Sequence, residues 1–366
     1  MKNLKRGRLF CSPLISSGIH RFFWLTLVLP QILFFASCEK DPATTEDKHQ
    51  KPHSTPYNFE LPAHFPEPEL PEDNPMTMEK IRLGKKLFFD PILSRDSSVS
   101  CGSCHFQHLA FTDGKVKSIG IEGRISERNA TTLANLAYHD RFFMDKGVAT
   151  LELQVIAPIE DEAEMDFNIP DLLERLQKHP DYVAEFSAVF DREPDLFGLT
   201  RAIAAFERSL ISANSPYDRY LMGEETALSS EQKRGKALFF SEYLMCSSCH
   251  SGFLLTNLNL ENNGLYEDYE DYGHQRVTGQ GKDNALFKVP TLRNIELTAP
   301  YMHDGSMESL EEVIEHYASG GKPHFNKSDK IKGFEISEAE KKALIAFLKS
   351  FTDEQFISNK AFQPEN

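Results

Sequence analysis

The sequence predicts an all-α protein built as two related halves with long loops. Three observations carry that expectation. Apolar residues recur at helical spacing while strand signals are sparse. The phrase Gly84-Lys85-Lys86-Leu87-Phe88-Phe89 returns as Gly235-Lys236-Ala237-Leu238-Phe239-Phe240, as expected of a duplication. Each copy is followed by a C-x-x-C-H run, Cys101-Gly102-Ser103-Cys104-His105 and Cys246-Ser247-Ser248-Cys249-His250.

Residues 1–37 are set aside as an export signal. Lys2, Lys5, Arg6, Arg8 and Arg21 precede an apolar stretch from Phe22 to Ala36, too short for a comfortable membrane span, with small residues before a cut site. The Leu-Phe-Phe-Ala-Ser-Cys ending suits a lipoprotein signal, with Cys38 as the lipidated first residue. Ordinary cleavage nearby is the alternative, since Phe35 stands where an aliphatic residue is usual. Residues 38–75 carry eight prolines among Thr, Glu and Asp, and read as an extended linker that buries no core.

The folded region is expected from Met76. Its first half, residues 76–222, closes with Ile203, Phe206 and Leu210 at helical spacing, and Asn214-Ser215-Pro216 breaks the pattern. The second half, residues 223–366, has a capping box at Ser337 and Glu340 before Leu344, Phe347, Leu348 and Phe351. Without residues 1–37 the chain holds 35 Lys plus Arg against 55 Asp plus Glu, near −20. That charge argues against nucleic acid and favours a basic or neutral partner at low salt.

Cys11 and Cys38 fall in or at the signal, so the two C-x-x-C pairs leave no thiol for a disulfide framework. One C-x-x-C-H could be a zinc half-site or a redox dithiol. Two copies in an exported chain indicate two covalent c-type haems: the thiols add to vinyl groups and the adjacent His ligates iron. Cys101, Cys104, Cys246 and Cys249 are therefore the attachment residues, and His105 and His250 the iron ligands, of two cytochrome c-like haem domains.

From Gly84 to about Phe351 the chain resembles the bacterial di-haem cytochrome c peroxidases and the related MauG proteins. The shared phrases include Ala110-Phe111-Thr112-Asp113-Gly114, Arg128-Asn129-Ala130-Thr131-Thr132-Leu133, Leu151-Glu152-Leu153-Gln154 and Glu164-Met165. In the second half they include Phe287-Lys288-Val289-Pro290-Thr291-Leu292-Arg293-Asn294 and Pro300-Tyr301-Met302-His303-Asp304-Gly305. The resemblance implies that the first haem is peroxidatic, with Gln154 and Glu164 as the catalytic pair. A carboxylate there can shuttle a proton between peroxide oxygens while an amide orients them. By itself Glu164 reads as a surface acid. The resemblance also implies Ca²⁺ held by Asn129 and by carbonyls near Thr298 and Pro300, oxygen donors that suit it; a loop hydrogen bond is the plainer reading of each.

Two departures matter. Relatives carry a Trp in a Phe-Trp-Asp-Gly-Arg phrase where this chain reads Phe143-Met144-Asp145-Lys146-Gly147, and its one Trp is Trp24, in the signal. At the second haem, the position of the relatives' Met ligand is Tyr317, as in MauG-like proteins, with Met302, Met307 and His316 as local competitors. Where many relatives place a distal His over the first haem, Ile121 stands, so that iron is expected to be open, with His139 as the competing ligand. His108 reads as exposed surface, His303 as organising a loop, and His64 as part of the linker.

The function implied is reduction of hydrogen peroxide with electrons from a small cytochrome c or cupredoxin. A MauG-like oxidase acting on a partner protein is the first alternative, and a non-enzymatic di-haem carrier the second. The expected location is the periplasm or cell envelope, lipid-anchored through Cys38; a homodimer is left open.

Overall fold

The computed structural model describes residues 54–365. The signal, Cys38 and the start of the linker lie outside the described residues. Those described form a mostly helical protein: α1 Met78–Phe89, α2 Leu151–Gln154, α3 Ile156–Glu160, α4 Ile169–Gln177, α5 Pro180–Phe190, α6 Leu196–Ser209, α7 Pro216–Leu221, α8 Ser230–Phe239, α9 Gln275–Thr278, α10 Leu310–Ser319, α11 Glu338–Lys349 and α12 Glu354–Ser358. The paired strands are two residues each, β1 Leu260–Glu261 and β2 Phe287–Lys288, antiparallel. Much of the rest is loop and 3₁₀ turn.

The repeated phrase has a packing explanation. α1 crosses α6, and a Cβ on Gly84 would lie 1.8 Å from the Ala202 carbonyl oxygen. α8 crosses α11 in the same way, and a Cβ on Gly235 would lie 1.9 Å from the Ala343 oxygen. Only glycine lets the backbones approach that closely. The phenylalanines of the phrase then lock each crossing. Phe88 packs edge-on to Phe206 at 5.2 Å and Phe239 to Phe347 at 5.5 Å, all four fully buried. The box expected at Ser337 and Glu340 caps α11.

Two apolar cores result, one built around Phe88, Phe111 and Phe206 and one around Phe239, Phe347 and Phe351. The tail does not stay with the second. Phe356 and Phe362 are buried in the first core, and the Gln107 amide donates to the Phe356 and Asn359 carbonyls at 2.9 Å each. Adjacency in sequence assigned residues 352–366 to the second half; two aromatic anchors carry them back across the seam.

The expected free linker is also corrected over residues 54–75. Phe65 is 6 % exposed, packed between Tyr138 at 5.9 Å and Phe253 at 4.8 Å with the Arg293 guanidinium over its ring at 4.7 Å. His64 Nε2 bonds Asp218 at 2.9 Å, and Asn74, fully buried, donates to Glu152 at 2.8 Å. The stretch buries no core of its own, but single side chains fit pockets that the two halves supply. Beneath it, Arg293 pairs with Asp218 through two bonds of 2.8 Å; burial opposes charge on Asp218, but Arg293 holds its carboxyl down at about 2.

Candidate active site

The two C-x-x-C-H runs fold alike. Each opens with a 3₁₀ turn, Cys101–Ser103 and Cys246–Ser248, and the amides of the second Cys and the His both donate to the first Cys carbonyl, at 3.1 and 3.0 Å in the first run and 3.3 and 2.9 Å in the second. The sequence motif therefore becomes one compact unit bearing two thiols and an imidazole. His105 Nδ1 donates to the Phe111 carbonyl at 2.7 Å, and His250 Nδ1 to that of Leu255 at 3.3 Å. A carbonyl only accepts, so each ring carries its proton on Nδ1 and keeps an Nε2 lone pair. Burial lowers both imidazoles, His250 to about 4, so both are neutral at physiological pH.

This arrangement suits a haem iron, with the outer hydrogen bond fixing the ligand tautomer. It does not suit the rival chemistries. Burial raises all four thiols, Cys104 and Cys246 to about 11, whereas a redox dithiol needs a lowered pKa. Among the described residues no three His, Cys, Asp or Glu side chains group as a metal site, so a closed zinc centre has no ligand set.

Around the first motif, Thr150 caps α2 and sets Gln154 in its last position, where the amide Oε1 is buried with no hydrogen-bond partner. Glu164 follows on a loop and is half-buried. Burial, then the neighbouring Asp161 carboxylate, pushes its carboxyl up to about 7. Its carboxylate lies within electrostatic reach of both Cys101 and Cys104. Ile121 is fully buried, and its amide donates to the Glu164 carbonyl at 2.8 Å. The two residues are thus joined through their backbones. His108 is exposed, and His139 is turned to Lys288, 3.4 Å from its Nδ1.

Around the second motif, the Tyr317 phenol on α10 lies within electrostatic reach of Cys246 and Cys249. Burial raises it to about 12, against a hydrogen bond from Asn263 that lowers it. His316 Nε2 is occupied by the Asn263 carbonyl at 2.9 Å, and the Met302 sulfur accepts from the Asn263 amide at 3.2 Å. Met307 packs against the second core. His303 stacks on Phe287 at 4.1 Å. Asn129 donates through Nδ2 to the Lys115 carbonyl at 2.7 Å and through its backbone to the His303 carbonyl at 3.1 Å, which brings it to the loop that follows Pro300. Its Oδ1 and the carbonyls of Thr298 and Pro300 accept no hydrogen bond among the described residues.

Residues 78–226 match the family model described as di-haem cytochrome c peroxidase. The chain is 35 % identical to methylamine utilization protein MauG of Methylorubrum extorquens, across 90 % of this chain and 94 % of that protein. It belongs to the di-haem cytochrome c peroxidase and MauG family. It is also 37 % identical to cytochrome-c peroxidase IdrP1 of a Pseudomonas species, over 79 % of this chain and 85 % of the relative. Among solved structures it is similar to a MauG-like protein associated with microbial copper homeostasis, with 37 % identity and a TM-score of 0.79 over 84 % of this chain and 99 % of that one. Membership implies c-type haems, which the two motifs are built to hold.

Sequence reasoning missed other residues of the site region. Glu207 on α6 is 4 % exposed, its Oε2 has no partner, and burial raises it to about 8. Arg128 bonds both Asp145 and Asp271, the second of them 143 residues beyond Arg128 itself. A polar residue beside Phe206 on a buried helix was the available signal for Glu207; the Arg128 pairing left none.

Proposed function

We propose that the protein is a di-haem peroxidase of two cytochrome c-like haem domains, residues 76–222, with the returning tail from residue 352, and residues 223–351, that reduces hydrogen peroxide to water. Glu164 carries this reading: a carboxyl raised to about 7, within electrostatic reach of Cys101 and Cys104 of the first motif. The reaction is H₂O₂ plus two reduced donors and two protons, giving two waters and two oxidised donors. When bound, the haems supply iron that takes up and delivers the electrons.

The residues supply position and proton transfer. Gln154 Oε1 accepts from a peroxide O–H and fixes its orientation. Glu164, as carboxylate, takes a proton from the near oxygen and returns it to the far one, so that the leaving group departs as water. Ile121 would offer no ligand to a haem iron held by the first motif. Asn129 and the carbonyls of Thr298 and Pro300 hold Ca²⁺. A small cytochrome c or cupredoxin delivers electrons to the second haem, in the periplasm or at a membrane reached through lipidated Cys38. No helix among the described residues is long and apolar enough to cross a membrane.

Steady-state peroxide reduction with several reduced donors tests this. Turnover should need the first haem and Glu164, and its absence with every donor in a fully loaded protein would overturn the reading. Tyr317 supports a second reading. As sixth ligand of the second iron its phenolate would stabilise higher oxidation states, which suits a MauG-like oxidase acting on a partner protein. A peroxide-dependent mass change in a partner, without reduced donor, would favour it.

A further inference from the structure

Lys288 and His139 come from opposite halves of the chain and meet at the seam. Lys288 Nζ donates to the Arg141 carbonyl at 3.1 Å and faces His139 Nδ1 at 3.4 Å. Both partners are neutral, and among the described residues no carboxylate forms an ion pair with this ammonium. The nearby acids are engaged elsewhere: Asp140 pairs with Lys146 at 2.7 Å, and Asp145 with Arg128 at 2.8 Å. Because Lys288 donates to Nδ1, the His139 proton sits on Nε2. That Nε2 is buried and has no acceptor. An ammonium without a direct ion pair and an imidazole N–H without an acceptor ask for the same thing, an anionic oxygen.

We propose that Lys288 and His139 form a seat for a propionate carboxylate of the second haem. The surrounding backbone favours the second haem over the first. β2 runs beside the loop after Cys246-Ser247-Ser248-Cys249-His250: Val289 donates to the Asn259 carbonyl at 2.8 Å, Thr256 to that of Val289 at 2.7 Å, and Lys146 to that of Leu258 at 3.1 Å. Burial first, then the charge of Lys146, lowers Lys288 to about 8 even though Asp140 and Asp145 act the other way, and burial, then Lys288 and Lys146, lowers His139 well below its usual range. A propionate held there bonds residues of both halves, so the seat ties the second haem to the seam where relatives carry Trp and this chain carries Met144.

The inference rests on the two-haem reading but not on peroxidase activity, and a doubly loaded protein without turnover leaves its test intact. Lys288→Met, Lys288→Arg, His139→Phe and His139→Gln would be prepared with haem content checked by mass and by pyridine haemochrome. Each haem's midpoint potential is read by spectroelectrochemical titration, and its propionate bending modes by resonance Raman. Loss of the nearby cation in Lys288→Met should lower the second haem's potential and move its propionate mode, and Lys288→Arg should restore both. His139→Phe should move the mode and His139→Gln, which keeps an N–H donor, should bring it back. If Lys288→Met loads poorly, the His139 pair decides. An unchanged second haem in the loaded variants, including a result where only the first haem responds, would overturn the proposal.

Discussion

Replacing Glu164 by Gln keeps the shape of the side chain and removes its titration. The carboxyl is raised from 4.5 to about 7, a shift worth about 3 kcal/mol of proton affinity. At neutral pH the acid and base forms are then about equally populated, which suits a group that first takes and then gives a proton. The carboxylate must accept first, so wild-type kcat/KM should rise as pH rises through about 7 and flatten above it. Glu164→Gln should lose about 10²- to 10⁴-fold of turnover, the usual contribution of such catalysis, and the limb should vanish. Asp161→Asn is the companion. Its charge is the second cause of the shift after burial, so the limb should move to lower pH yet stay above the ordinary carboxyl range. The assay is initial-rate peroxide reduction from pH 5 to 9 with a reduced cytochrome c, at matched haem content. A limb near 7 that persists in Glu164→Gln would remove the residue from the mechanism.

Glu207, raised from 4.5 to about 8 by burial and lacking a partner for one oxygen, should make stability depend on pH. The unfolded chain releases this proton first, so the contribution is full below pH 4.5 and falls as pH rises towards 8, by about 4–5 kcal/mol. Urea unfolding at pH 6 and 9 should show a clearly smaller loss in Glu207→Gln; an equal loss would discard the assignment. Gly84→Ala, which forces a Cβ to 1.8 Å from the Ala202 oxygen, should cost about 3 kcal/mol or more by thermal unfolding, whereas Gly281→Ala meets nothing within 4 Å and should be near neutral. Tyr317→Phe should raise the second haem's potential and alter its ferric spectrum. A Met-to-iron charge-transfer band in wild type that survives the change would instead give the ligand role to a methionine.

Legibility in the sequence followed how local each feature is. The C-x-x-C-H units were readable because attachment and ligation sit on five consecutive residues, and a local turn completes them. The duplicated phrase was readable, but why its glycine recurs needed the helix crossings at Ala202 and Ala343. Gln154 and Glu164 are unremarkable polar residues by pattern alone, and only family resemblance picked them out. Phe65 was lost in a proline-rich stretch whose average composition hid one aromatic with a pocket of Tyr138, Phe253 and Arg293. The Lys288–His139 meeting spans 149 residues, and no one-dimensional signal encodes it.

The central proposal is that the first haem site takes peroxide on an open iron: Ile121 is buried, its amide on the Glu164 carbonyl, and His139 is turned towards Lys288. The direct measurement is paramagnetic resonance of the fully ferric, doubly loaded protein, followed by peroxide titration before any reductant is added. The account predicts a high-spin first haem whose spectrum changes on the first equivalent of peroxide. A wholly low-spin, bis-His first haem that ignores peroxide until the protein is reduced would contradict it.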